Sequence, residues 1–297
     1  MAGEKDYVIF TDAGADLPAS LCAQSGLRGI PMEYCLAGQE GLFDPTDPAR
    51  EQMCASFYAA LRAGATVSTS QITPYAYEQT FAPVLAAGSD ILYCCFSSGM
   101  SSTWQNVQAM SADLQTRWPG RRIRCVDSLS AAGGQGAFAL QAAKNRAAGM
   151  SLDENADWLT ARTQRVRHWF TVSNLDFLKR GGRVSPTLAF LGGKLQIKPL
   201  MIIGKDGKLQ VTGRARGRRA SMEDLAASYA AAVDFGDAEP LIIVSHAGSP
   251  EDGAALAEMV QAASPAGTRV ELVSLSPIIG AHTGPDALTL CGFAAAR

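Results

Sequence analysis

Apolar runs of strand length recur along this chain, and each stops abruptly at a polar, turn-forming cluster. In the first half these runs are Tyr7–Thr11, Ile30–Leu36, Ile91–Phe96 and Ile123–Asp127. Runs this short and this continuously apolar predict strands of a parallel sheet covered on both faces. Helical segments fall between them. Asp47-Pro48 offers a helix start, Met53, Cys54, Phe57, Tyr58 and Leu61 follow at helical spacing, and Gly64 is placed to stop the helix. Ser151 and Glu154 predict a capping box before another helix. This alternation of strand and helix points to an α/β fold.

From near Val166 the pattern changes. Leu195–Ile203 and Lys208–Gly213 flank Lys205-Asp206-Gly207 and read as an antiparallel hairpin. A helix from about Ser221, a strand at Leu241–Ser245, a helix at Asp252–Ala263 and a strand at Arg269–Leu275 follow. The chain has 297 residues, more than one domain usually holds. The expectation is two α/β domains, residues 1–160 with a parallel sheet and residues 161–297 with a mixed one.

Charge and cysteine content narrow the function. A formal net charge of −2 gives no global attraction to nucleic acid or an anionic surface. The charge-free stretch from Ile91 to Ala112 is interrupted by Ser97, Ser98, Ser101, Ser102, Gln105 and Asn106, which argues against a membrane span. Met1–Asp6 is polar, so no secretory signal is expected. The seven cysteines are scattered without a CxxC pair, which suits buried reduced thiols in a cytoplasmic protein and not a zinc site.

Four polar clusters carry the candidate chemistry. Ser97-Ser98-Gly99-Met100-Ser101-Ser102-Thr103 follows an apolar strand and leads into a helix, where hydroxyls and free N–H groups can hold a carboxylate or phosphate. Val67–Pro74 is similarly rich in short donors, with Pro74 suited to open the next helix. Ile279–Pro285 sets His282 in a Gly/Pro-rich turn; His168, among apolar strand neighbours, and His246, at a strand end, look less functional. Leu178–Ser185 gathers three cations around Gly181-Gly182, and Arg214, Arg216, Arg218 and Arg219 form a second basic cluster suited to docking a partner. Neither basic cluster has interleaved aromatics, so nucleic acid is not expected. Neither a GxSxG elbow, a GxxxxGK[ST] loop nor an HExxH motif is present. Gly134-Gln135-Gly136-Ala137-Phe138-Ala139 matches the dinucleotide fingerprint, but no acidic residue stands about twenty positions on where a second strand should end.

Taken in order, these clusters resemble the DegV family of bacterial fatty-acid-binding proteins over nearly the whole chain. Thr11-Asp12-Ala13-Gly14-Ala15-Asp16-Leu17-Pro18 is similar to the family's TDS-x-x-DLP opening, and Thr69-Ser70-Gln71 to its TSQPS turn. Ser97–Thr103 is similar to SSGLSGT, Val126-Asp127-Ser128 to VDS, Leu178–Val184 to LKKGGRI, Ile197-Lys198-Pro199 to IKP, and Gly280–Pro285 to GAHTGPG. The chain departs at Ala13, Ile72-Thr73, Ser102 and Asp286; Ser102 and Ile72 are the departures expected to alter the pocket.

The resemblance implies a long-chain fatty acid buried between two α/β domains. Its carboxylate would be held by Thr69 and by Ser97 or Ser98, Ser98 being favoured, with His282 nearby. It implies a carrier with no cofactor and no catalytic machinery, which presents the carboxylate to a separate fatty acid kinase for acyl-phosphate formation and phospholipid synthesis. Arg183 and Arg216 would contact the kinase or the transferred phosphate, and lipid exchange would bring transient membrane-surface contact. Two other readings stand beside it: a lipid sensor, and a hydrolase using a serine of Ser97–Ser102 with His282 as base.

Overall fold

The computed structural model describes residues 7–184 and 196–297. The expectations for Met1–Asp6, Ser185 and the start of the hairpin at Leu195 lie outside those residues. The first half runs β1 (Tyr7–Asp12), α1 (Ala19–Ser25), β2 (Leu27–Ile30), β3 (Met32–Leu36), β4 (Gln39–Phe43), α2 (Arg50–Arg62), β5 (Val67–Thr69), α3 (Pro74–Ala86), β6 (Asp90–Cys95), α4 (Thr103–Arg117), β7 (Ile123–Asp127), α5 (Ala132–Ala147) and α6 (Leu152–Thr160). The second half runs β8 (Val166–Thr171), α7 (Asp176–Arg180), β9 (Ile197–Ile203), β10 (Leu209–Arg216), α8 (Arg218–Ala230), β11 (Leu241–His246), α9 (Pro250–Ala263), β12 (Arg269–Ser274), α10 (Pro277–Thr283) and β13 (Leu288–Phe293).

Strands β2-β1-β6-β7 form a wholly parallel sheet. Every residue of β6 is buried, which explains the unbroken apolar run from Ile91 to Cys95. Strands β10-β9-β8-β13-β11-β12 form a mixed sheet in which only β11 and β12 run parallel. The hairpin is the antiparallel β9–β10 pair, and Ser151 and Glu154 make both bonds of the capping box. Thr73 caps α3 with Pro74 in its first turn, and Gly64, at φ +91°, follows α2.

Three expectations are corrected. The run Ile30–Leu36 is not one strand: Pro31, which has no N–H to give a ladder, separates β2 from β3. β3 turns away into a third, antiparallel sheet of order β4-β3-β5 that carries Thr69. Asp47 does not cap α2; it accepts the Ala49 N–H at 2.7 Å in a turn ahead of it, and the helix begins at Arg50. The helix expected from Ser221 starts at Arg218.

Helix α5 lies between the two large sheets, against β1 and β6 on one side and β11 and β13 on the other. Its glycines serve packing. A Cβ on Gly134 would stand 2.1 Å from His168 Nε2, and one on Gly136 would stand 2.3 Å from the Asp16 carbonyl oxygen. The helix therefore fits only with small residues here, and the fingerprint-like Gly134–Ala139 is a close-packing device. A buried polar group ties the halves together below it. Arg50 lies 3.6 Å from Asp16, Arg50 Nη2 donates to the Ser274 carbonyl at 2.8 Å, and Asp16 Oδ1 accepts the Ser276 N–H at 2.8 Å. Asp16 and Arg50 are both fully buried.

Candidate functional site

The strand-end clusters are built outward from one buried carboxylate. Asp12, at the end of β1, accepts the Tyr93 hydroxyl at 2.6 Å, the Phe96 N–H at 3.1 Å and the Gly14 N–H at 2.9 Å. It thereby fixes the turn after β6, while burial raises its pKa above the usual carboxylate range. Within that turn neighbouring serines take different roles. Ser97 is fully buried; its hydroxyl donates to the Gly207 carbonyl at 2.8 Å and accepts the Gly99 N–H at 3.2 Å. Ser101 Oγ accepts the Thr103 N–H at 3.2 Å at the start of α4. Ser98 is held through its backbone, its N–H donating to Asp127 Oδ1 at 3.1 Å, and its side chain faces a cavity.

That cavity encloses about 550 Å³, within the range of small-ligand sites. Its apolar lining includes Met32, Phe96, Phe170, Leu178, Ile203 and Ile278, drawn from the mixed and third sheets, from the turn after β6 and from helices α7 and α10. Thr69, Ser98, Arg183 and His282 line it as well. Three of the four predicted carboxylate-site residues therefore share one cavity. Ser97 does not line it, because its hydroxyl is spent on the β9–β10 turn.

Thr69 and His282 meet directly, Thr69 Oγ1 lying 3.0 Å from His282 Nε2. They come from β5 and α10, more than 200 residues apart, through the third sheet. Burial first, and the positive charge of Arg183 second, push the His282 pKa down to about 4, so the ring is neutral at pH 7. Among the described residues His282 Nδ1 has no hydrogen-bond partner. A Cβ on Gly181 would lie 2.3 Å from that nitrogen. Gly181 is therefore needed for space, which gives the double glycine in the basic motif a physical reason.

The basic residues separate. Arg183 is half-buried at the cavity, donates to the Gly181 carbonyl, and has its pKa lowered by burial. Arg216 is exposed on edge strand β10, away from the cavity lining. Arg218 is engaged by Asp252 at 2.8 Å and by the Asp286 carbonyl at 2.6 Å, and Arg219 pairs with Glu223 at 2.9 Å. Arg214, Arg216 and Arg219 are thus the exposed members of that cluster.

Sequence reasoning passed over several cavity residues. His168 lines it, with Thr289 and Cys291. Ser102 does too, as expected of that departure, whereas Ile72 is buried and does not. The apolar liners carried no signal of their own, because a cavity wall and a packed core use the same residue types. His246 is buried outside the cavity lining.

Among the described residues no group of three or more His, Cys, Asp or Glu is arranged to hold a metal ion. None of the described helices is long and apolar enough to cross a membrane. The site can do one thing readily: offer hydroxyl and imidazole groups to an anion beside an apolar chamber.

Comparison with known proteins agrees with this geometry. A family profile described as "Uncharacterised protein, DegV family" matches residues 6–295. A DegV domain-containing protein of Clostridium perfringens is 32% identical over 286 residues, spanning 96% of this chain and 97% of that protein. A DegV lipid-binding protein from Thermotoga maritima has the same fold, with a TM-score of 0.85 at 23% identity over 98% of this chain and 99% of that one. A DegV family protein from Thermus thermophilus, described by its fatty acid binding, has a TM-score of 0.80 at 26% identity over 97% of this chain and 99% of that one.

Proposed function

The chain belongs to the DegV family, and from that premise we propose that it binds a long-chain fatty acid and presents the carboxylate to a separate fatty acid kinase. The carrying observation is the Thr69–His282 pair, with Ser98 and Arg183, on a cavity otherwise walled by apolar side chains. A carboxylate accepts hydrogen bonds from hydroxyl and imidazole donors without requiring a fully buried cation. The acyl chain supplies most of the affinity, about 0.8 kcal/mol per buried CH₂, or roughly 10 kcal/mol for a palmitate-length tail before ordering costs. Residues 1–160 and 161–297 are the two domains of this carrier, with the lipid between them.

Presentation follows from the same layout. Arg183, at the cavity, meets the carboxylate and later the acyl-phosphate, and exposed Arg216 contacts the kinase. The acyl-phosphate then feeds phospholipid synthesis, the carrier works in the cytoplasm, and lipid exchange takes place by transient contact with a membrane surface. A serine hydrolase is less well supported, since a catalytic histidine serves a serine and is oriented through its other nitrogen. Here Nε2 of His282 meets Thr69, and Nδ1 has no partner among the described residues.

The test is acyl-phosphate formation by a fatty acid kinase from loaded carrier, comparing wild type with Arg183→Ala and Arg216→Ala. Arg216→Ala is expected to keep the lipid, Arg183→Ala to hold it severalfold less tightly, and both, when loaded, to slow kinase-dependent turnover about tenfold or more, the loss of one charged contact. Unchanged turnover in both overturns the presentation role, and lipid binding without any kinase stimulation leaves a lipid sensor.

A further inference from the structure

We infer that Asp127 is a positioning residue for ligand binding: its carboxylate holds the Ser98 backbone so that the Ser98 hydroxyl is delivered to the cavity. This inference rests on the fatty-acid reading above and adds a residue to that site. Asp127 ends β7, in register with Cys95 at the end of the neighbouring strand β6. Its side chain therefore reaches the turn that begins at Phe96, although Asp127 does not itself line the cavity.

The backbone donors of that turn are engaged one after another. The Phe96 N–H goes to Asp12 Oδ2 at 3.1 Å, and the Ser97 N–H to the Ser130 carbonyl at 3.0 Å. The Ser98 N–H goes to Asp127 Oδ1 at 3.1 Å, the Gly99 N–H to the Ser97 hydroxyl at 3.2 Å, and the Met100 N–H to the Ser97 carbonyl at 3.2 Å. A strand-to-helix turn ordinarily offers such N–H groups to an anion, but none of these five is left over. Recognition by residues 96–100 therefore falls to side chains. The Ser97 hydroxyl is spent on Gly207, which leaves the Ser98 hydroxyl facing the cavity.

Two carboxylates thus shape the turn from neighbouring strands, and they differ in kind. Asp12 is fully buried and also holds Tyr93, so it belongs to the core. Asp127 is only partly buried, and its Oδ1 accepts the Leu129 N–H at 3.0 Å as well. Leu129 has a left-handed φ of +48°, and the bond to it closes a local turn of the Asx type. The oxygen that holds Ser98 is therefore fixed by its own loop before any ligand arrives. A serine held in this way gives its hydroxyl to a carboxylate with little further ordering. Without the bond the Ser98 N–H seeks another partner and the hydroxyl loses its aim.

The experiment is isothermal titration of hexadecanoic acid into purified, lipid-stripped full-length protein. Asp127→Ala is expected to weaken binding severalfold, by no more than Ser98→Ala does, and in a Ser98→Ala background to add no further loss beyond about twofold. Asp127→Asn, which keeps an acceptor oxygen at the same place, is expected to restore most of the affinity. Asp127→Ser guards against a folding defect: its shorter side chain keeps the local bond to the Leu129 N–H but does not reach Ser98. It is expected to lose as much affinity as Asp127→Ala. Wild-type affinity in Asp127→Ala or Asp127→Ser, a loss in Asp127→Asn equal to that in Asp127→Ala, or additive losses with Ser98→Ala would each overturn the inference and leave fatty-acid binding standing. If wild type binds no hexadecanoic acid, the fatty-acid reading falls and this inference falls with it.

Discussion

Two polar clusters made by both halves of the chain differ in charge balance and in what they face. Around Asp16 and Arg50, opposite charges are matched, both side chains are fully buried, and neither residue lines the cavity. Around Thr69 and His282, hydroxyls, a neutral imidazole and the cation Arg183 face the cavity with no carboxylate among its lining residues. The first arrangement binds its charges to each other and to the Ser274 and Ser276 backbone and holds architecture, with Asp16 Oδ2 and Arg50 Nε left unpartnered among the described residues. The second has positive charge and hydrogen-bonding capacity in excess, and an anion completes it.

Breaking the first cluster should cost the most. Arg50→Ala leaves the Asp16 carboxyl buried without its cation and is expected to destabilise the fold by about 3–5 kcal/mol, read by denaturant unfolding. Protein that remains folded should keep its affinity for ligand. A loss of affinity without a loss of stability would erase the distinction between the clusters.

The second cluster should respond in the opposite sense. Thr69→Val removes one hydroxyl and is expected to weaken fatty-acid binding by roughly ten- to a hundredfold, the worth of a hydrogen bond to a charged group. Its effect on unfolding should stay within about 1 kcal/mol, since Thr69 is only partly buried. Isothermal titration and denaturant melts on one preparation measure both.

Acid should expose the neutral histidine. His282 has a folded pKa of about 4 against 6.5 for an ordinary histidine, so the unfolded chain takes up its proton first. Its contribution to stability is therefore present above pH 6.5 and is lost as pH falls through 6.5 toward 4. At pH 5.5 this loss is roughly 1 kcal/mol. Unfolding measured at pH 7 and 5.5 should show a smaller drop for His282→Gln than for wild type; an equal drop contradicts the assignment.

Adjacent serines give the finest comparison. Ser97→Ala, which removes the bond to Gly207, should cost about 1 kcal/mol of stability and leave affinity unchanged. Ser98→Ala should do the reverse, weakening binding severalfold without affecting the melt. The same outcome for both would show that the turn acts as a single unit.

The sequence made some of this legible and hid the rest for identifiable reasons. Buried parallel strands such as β6 are apolar at every position after the first, Asp90, so their pattern survives without any partner. The capping box and the hairpin turn are local, with donors and acceptors a few residues apart. The third sheet was hidden because β4 and β5 are short and half-exposed, and because the split at Pro31 falls inside one apolar run. Thr69, Ser98 and His282 were readable as members of polar or glycine-rich clusters, although Thr69 ends β5 and His282 lies in the last turn of α10 and not in the turns expected for them. Ser97 could not be told from Ser98, since only the position of the β9–β10 turn decides which hydroxyl is occupied. His168 looked like a core residue because Thr289 and Cys291, its neighbours on the cavity wall, arrive more than 100 positions later.

The most direct test is native mass spectrometry of the freshly purified protein, with the bound lipid identified after denaturing extraction. A stoichiometric long-chain fatty acid in wild type, lost from the Thr69→Val/Ser98→Ala double variant while Ser97→Ala retains it, is the predicted result. A protein that carries no lipid and takes up no added fatty acid would contradict the assignment of the Thr69–His282 cavity as a carboxylate site.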